Sequence, residues 1–314
     1  VPPDARPPAG PGGPDPADVR GGAGSAPLRA EEVTAVLLAP GGPLARCAVV
    51  PRAGSTSTDL LALLAADPAW ADGGLLVAEH QEAGRGRTGR TWTTPPGTAL
   101  TFSLALRPGV PREGWGWLPL LAGLGVVRAV RAATGLGAVL KWPNDVLVPA
   151  ADGADLPGWG TDRKVAGLLA EVAPGTAPGA VVLGVGVNVA QGAADLPVPS
   201  ATSLAAAGAG PGALDRTTLL VAVVHEVLDL VGRWRAHGGD AAAAGLDAQV
   251  AAACRTLGAQ VRATVPGGDE VRGTAVRIAP DGALVLRGAD GTEHPLLAGD
   301  VRHVRPDGEL GSSA

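Results

Sequence analysis

Residues 79–94, EHQEAGRGRTGRTWTT, gather the groups best suited to holding an anion. At their centre Gly84, Gly86 and Gly89 alternate with Arg85, Arg87 and Arg90. Glycine permits positive φ and close approach of the backbone to a ligand. Arginine presents a planar, permanently charged fork that matches carboxylates and phosphates. The apolar run before it, LLVA at 75–78, reads as a strand, so a strand feeds a flexible cationic loop. A solvated turn or an RGG-like nucleic-acid tail uses similar residues, and the loop alone does not choose among these readings.

Composition singles out further positions. Of the 25 basic residues only Lys141 and Lys164 are lysine, and the only asparagines are Asn144 and Asn188. Met and Tyr are absent and Phe occurs once, the mark of GC-rich coding. Such a bias replaces lysine by arginine wherever a surface charge suffices. A retained lysine therefore marks a site needing a compact ammonium, with chance retention as the alternative. Lys141 and Asn144 share the motif KWPND at 141–145, and Lys164 opens KVAGLLAE at 164–171.

In this order and spacing GRGRTGR, KWPND and KVAGLLAE resemble the biotin protein ligases, which attach biotin to acetyl-CoA carboxylase and related carboxylases. The resemblance extends over residues 47–305. It implies activation of biotin, the substrate, by ATP with Mg2+ to give biotinyl-5′-AMP, then transfer to a lysine of a biotin carboxyl carrier domain. Both steps pass through crowded negative charge, which preorganised cations relieve. The resemblance assigns that catalytic role to Arg87 and Lys164. It places Ser55, Thr56, Ser57, Gln81, Gly84, Arg85, Arg87, Lys164, Gly167 and Leu169 around biotin. Around the nucleotide it places Arg85, Arg87, Arg90, Trp92, Lys141, Asn144, Lys164 and Asn188, with Asp145 positioning a Mg-nucleotide. One departure stands out: Ser57 occupies a position where the family commonly has Asn.

Each assignment has a plainer counterpart. Ser57 or Thr58 could cap the following helix, Lys164 could sit in a structural salt bridge, Trp92 could be core packing, and Asn188 could hold a strand end. His80 reads as structural. A lipoate ligase shares the implied fold and adenylation chemistry, but GRGRTGR and KWPND argue against it. A biotin-sensing transcription regulator would need a DNA-binding domain, and the segment before the first core strand is short and rich in Pro and Gly. No DNA partner is expected.

The elements that must position these residues follow from periodicity and punctuation. Helices are expected at 30–38, from about 57 to 66, and at 115–133, 217–236 and 240–253. Strands are expected at 46–51, 75–78, 99–106, 139–141, 146–148, 165–172 and 180–189. The last of these, VVLGVGVNV, sets Gly184 and Gly186 on one face, where glycine often marks close approach of a ligand. After residue 256 short alternating runs separated by Pro-Gly-Gly, Pro-Asp-Gly and Ala-Asp-Gly read as a small β barrel. The expected fold is therefore α/β (α+β), with a mixed, largely antiparallel central sheet, flanking helices and an SH3-like C-terminal barrel. Expected boundaries are a Pro/Gly-rich disordered tail at 1–28, a catalytic domain at 29–254, the SH3-like domain at 255–306 and a tail at 307–314.

A net charge of −5 supplies no overall polycation for nucleic acid. Cys47 and Cys254 show no metal-ligand spacing and read as buried thiols of a reducing compartment. The longest uncharged apolar run, 114–127, has 14 residues and reads as too short to cross a bilayer. With no secretory pattern at the start, a cytoplasmic monomer or homodimer is expected.

Overall fold

The computed structural model describes residues 26–173, 179–264, 269–297 and 300–303. Most of the expected tail at 1–28 and all of the one at 307–314 lie outside these residues, but Leu28 is buried, 7% exposed, against the core.

Seven strands form the central sheet: β1 Arg46–Ala53, β2 Gly74–Gln81, β5 Ala99–Leu106, β6 Val139–Lys141, β7 Asp145–Pro149, β8 Asp162–Val172 and β9 Val181–Asn188. Their order is β1-β2-β5-β9-β8-β7-β6, and only the β1–β2 pair is parallel. A small hairpin, β3 Gly84–Arg85 with β4 Thr91–Trp92, carries the arginine loop. The central strands are covered on both sides, so they read as nearly continuous apolar runs. Leu75, Val77, Leu100, Phe102, Leu104, Leu183, Val185 and Val187 face the larger core, which also holds α3 (Trp117–Thr134) and α4 (Arg216–Ala236). The opposite face takes Leu76, Ala105 and Val182, packed on Leu60 and Leu64 of α2 (Thr56–Ala66).

Two helix expectations are corrected. The α2 N-cap is Ser55, without a side-chain capping bond, so neither Ser57 nor Thr58 is the cap. Thr56 and Ser57 turn their hydroxyls into a buried network instead. The helix expected at 240–253 spans only Leu246–Ala253, as α5. Asp240 Oδ1 accepts from the amides of Ala242 and Ala243, and Gly245 is left-handed at φ 64°, so a turn precedes the helix. Such local side-chain bonds compete with helix in this way. The stretch 112–134, containing α3, is by length and mean hydropathy able to cross a membrane, longer than the 14-residue run expected to decide this. Its most apolar window is 67% buried inside the protein, beside α4, where Gly125 lets Val227 approach. A core helix passes the same test.

The C-terminal strands β10 Gln260–Thr264, β11 Glu270–Ile278, β12 Leu284–Arg287, β13 Glu293–Leu296 and β14 Asp300–His303 form an antiparallel sheet in the order β13-β12-β11-β10-β14. The expected barrel is not closed among the described residues, because β13 and β14 remain its edges. Pro295 in β13 lacks an N–H for a further ladder, as edge strands tolerate. The sheet docks through a shared apolar core and through hydrogen bonds. Trp117 Nε1 donates to Pro280 O at 2.9 Å, Trp142 Nε1 to Gly282 O at 3.1 Å, and Trp142 N to Thr256 Oγ1 at 3.0 Å. Gly116 is required at the seam, since a Cβ there would lie 2.3 Å from Asp281 O.

The segment leading into helix α1 (Ala30–Leu37) is held by a charge pair whose arginine is buried. The Arg216 side chain is wholly buried and lies 2.7 Å from Glu79, while donating to Ala99 O and Ala26 O. Glu79 also accepts from the Leu28 amide. Breaking a buried ion pair strands a charge and typically costs 3–5 kcal/mol. Glu79→Ala should therefore destabilise the fold by about 3 kcal/mol, the low end because two carbonyls still hold the guanidinium. Urea unfolding of wild type and variant measures this, and a change below about 1 kcal/mol would contradict it.

Candidate active site

A cavity of about 410 Å3 opens on the α2 face of the sheet. Its floor is bare backbone. Gly167 of β8 pairs with Gly186 of β9, and Leu169 with Gly184, so three glycines and Leu169 share that face. Trp92 lies on this floor: a Cβ at Gly186 would come within 2.5 Å of the indole, and one at Gly167 within 3.1 Å. Its buried Nε1–H has no hydrogen-bond partner. The ring is thus a cleft wall rather than ordinary core.

The inner end is polar. Gln81, 8% exposed, accepts through Oε1 from Thr56 N at 2.8 Å and from Thr56 Oγ1 at 3.0 Å. Ser103 Oγ donates to Thr56 Oγ1 at 2.8 Å and lies 3.0 Å from Ser57 Oγ. Since the Ser103 proton goes to Thr56, Ser57 is the donor in that last contact. The Gln81 oxygen is therefore engaged, and its amide group is the donor end. Ser55, Thr56 and Gln81 line the cavity, whereas Ser57 is not among its lining and sits over Gly184. Gly84 underlies the loop, where a Cβ would lie 2.3 Å from Trp92 O and 3.0 Å from Gln81 Nε2.

The cationic wall is built from both halves of the motif set. Lys164 Nζ lies 2.7 Å from Asp145 Oδ1 and 5.7 Å from the Trp92 ring centre. It reaches the cleft because β8 is bulged: Val146 pairs with Ala166 and Leu147 with Lys164, skipping Val165. A bulge re-aims a side chain, here onto the face of Gly167, whose added Cβ would be 3.1 Å from Lys164 Nζ. Arg87 donates to Asn144 Oδ1 at 3.0 Å, and Asn144 Nδ2 donates to Leu168 O at 2.8 Å. Pro143 makes the expected corner through a cis peptide after Trp142. The 142–145 turn thus links the arginine loop to β8.

Other expected residues are placed differently. Arg85 lines the cavity but its NH2 donates to both Glu171 oxygens, at 2.9 and 2.7 Å, so its charge is engaged at the rim. Asn188, expected at the nucleotide end, is not among the cavity lining. It is buried where its amide donates to Thr202 O and its oxygen accepts from Gln191. Arg90 and Lys141 line the cavity, and the Lys141 ammonium lies 4.2 Å from the Trp159 ring centre. Sequence reading missed Ser103, which nothing but register places beside Thr56. It also missed Thr264 and Val301, by which the C-terminal sheet closes the cavity. Asp145 is the only carboxylate lining the cavity among the described residues. No cluster of three His, Cys, Asp or Glu occurs among the described residues.

Comparison with known proteins assigns the chain to a family. The Biotin/lipoate A/B protein ligase family matches residues 49–188, and the Biotin protein ligase C terminal domain matches 256–304. The chain is 40% identical over 265 residues to the "Biotin--[acetyl-CoA-carboxylase] ligase" of Mycobacterium tuberculosis, covering 82% of this chain and 88% of that protein. It is 33% identical to the protein of the same name from Paracoccus denitrificans, covering 77% and 94%. A biotin protein ligase from Aquifex aeolicus, solved in complex with biotin and ATP, shares the fold with a TM-score of 0.63 at 24% identity, over 83% of this chain and 99% of that one. With both family models matched in this order and a relative 40% identical over most of both chains, the chain belongs to the biotin protein ligases within the Biotin/lipoate A/B protein ligase family.

Proposed function

We propose that the cleft activates biotin with ATP, forming biotinyl-5′-AMP and pyrophosphate, and then passes the biotinyl group to a lysine of a biotin carboxyl carrier domain. The observation that carries this reading is the convergence of the two lone cationic motifs. Arg87 reaches Asn144 at 3.0 Å and Lys164 reaches Asp145 at 2.7 Å, so adjacent residues of one turn orient both. The curated names of the relatives favour biotin over lipoate.

In the first step a biotin carboxylate oxygen attacks the α-phosphorus of ATP. Two anions must meet, and Arg87 and Lys164 offset their repulsion from fixed positions. Asp145 holds Lys164 extended over the floor, and Trp92 excludes water from the same region. Pyrophosphate leaves with the electron pair of the broken P–O bond. In the second step the carrier ε-amine attacks the acyl carbon, loses its proton, and AMP departs. Thr56, Ser55 and the Gln81 amide bind the polar ring of biotin, while Gly167 and Leu169 flank its apolar tail. Arg90, Lys141 and Asn144 form the nucleotide end. A single lining carboxylate suits Mg2+, which commonly binds through one or two carboxylates plus phosphate oxygens. Asp145 would hold it, and the ion would neutralise phosphate charge. We place the reaction in the cytoplasm, in a monomer or homodimer.

Purified protein should release pyrophosphate in the presence of biotin before any carrier is added, and far less with lipoate. A coupled pyrophosphate assay reads this directly, and equal turnover with lipoate would overturn the substrate assignment.

Lys164→Arg keeps the charge but widens a point donor into a fork, which cannot occupy the space between Asp145 and the Gly167 floor in the same way. Loss of a contact made mainly in the transition state costs about 3 kcal/mol, roughly a hundredfold in rate. Adenylation should fall by about that factor while biotin binding, measured by calorimetry, is retained. The reverse exchange at an exposed site, Arg52→Lys, should change neither. Wild-type adenylation by Lys164→Arg would return this lysine to a structural role.

A further inference from the structure

The connection between β7 and β8, residues 150–161, carries a tryptophan that the reaction above does not use. This segment is a built loop. Arg163, 9% exposed, donates to Gly160 O, Asp162 O and Ala154 O at 3.0, 2.9 and 2.8 Å. Trp159 N and Gly160 N both donate to Leu156 O at 2.9 Å, and Gly158 and Gly160 take positive φ, 77° and 64°. Asp162, 4% exposed, is clamped by Arg255 at 2.8 Å. This ordered loop carries the Trp159 indole, 4.2 Å from the Lys141 ammonium.

Trp159 is one of the neighbours that hold Lys141. It is 5% exposed, and an ammonium taken from water loses hydration that a ring face partly restores. Lys141 lies opposite Asp145 across the β6–β7 hairpin and lines the cavity at the end assigned to the nucleotide. Trp159 is itself absent from the cavity lining, so it meets Lys141 from outside the cleft.

We propose that Trp159 is a positioning residue for the adenylation step, its indole face holding the Lys141 ammonium toward the phosphates of bound ATP. The inference rests on the ligase function proposed above and assigns to the β7–β8 loop a part in nucleotide recognition. A cation–π contact is strongest with Trp, weaker with Phe and lost with an aliphatic side chain, whereas simple packing does not follow that order.

The test uses the full chain and biotin-dependent pyrophosphate release, comparing Trp159→Phe, Trp159→Leu, Lys141→Met and the double variants. The KM for ATP should rise in the order Trp, Phe, Leu, by about tenfold overall for a partly desolvated contact. Biotin affinity by calorimetry should stay within about twofold, since Trp159 does not line the cavity. In the Lys141→Met background either Trp159 substitution should add nothing, because residues acting as one unit are not additive. Equal KM values for Phe and Leu, full additivity with Lys141→Met, or a matching loss of biotin affinity would each overturn the role. Thermal unfolding is followed in parallel, and should Trp159→Leu fail to fold, the cycle between Trp159→Phe and Lys141→Met decides. A wild-type chain without biotin-dependent pyrophosphate release sinks the ligase reading, whereas normal wild-type activity with a flat Trp159 series sinks only this inference.

Discussion

The site depends on a patch of sheet with almost no side chains. Gly167 and Gly186 face each other across β8 and β9, and Gly184 extends the patch beside Leu169. Any Cβ at Gly186 would collide with Trp92, and one at Gly184 would come within 2.5 Å of Ser57 Oγ. Sheet faces are normally filled by interdigitating side chains at native density. Here Trp92, Ser57 and Lys164 pack directly onto the bare backbone, and the cavity opens beside them with the other features of the site around its perimeter. Strand glycines weaken a sheet locally, but these lie in the middle of seven strands and are held by neighbours on both sides.

Charge at the perimeter is organised by contacts that fix direction without filling the cleft. Asp145 and Asn144 each take one cationic side chain, Lys164 and Arg87, and adjoin in a turn held by the amide of Asn144 on Leu168 O. The same turn is fastened from behind, because Trp142 bonds to Thr256 and Gly282 of the C-terminal region. The C-terminal sheet is thereby part of the site in two ways, through the anchored turn and through Thr264 and Val301 in the wall. Preorganised dipoles and charges of this kind act without reorganisation at the moment of reaction. Arg85 shows the counter-case: its bidentate partner Glu171 engages it at the rim, so the three loop arginines are not equivalent.

The chain by itself determined the elements and the identity of the chemistry. Strand 99–106 and strand 139–141 are read directly from apolar alternation and from the proline that follows Lys141-Trp142, and both occur as read. Coding bias left two lysines, and both line the cavity, because a compact ammonium is not replaced by a guanidinium fork where geometry matters. Tertiary structure decided what spacing cannot encode. The bulge that skips Val165 turns Lys164 onto the cleft face, and a one-residue slip in register changes which face a side chain occupies. Ser103 joins Thr56 only because β5 lies beside β2 beneath α2, 47 positions away in sequence. Asn188 is held outside the cleft by Thr202 and Gln191, and the helix near 240 gave way to a turn built on the Asp240 side chain. Periodicity is a property of neighbours along the chain, whereas the site is made by partners across it, and only folding brings those together.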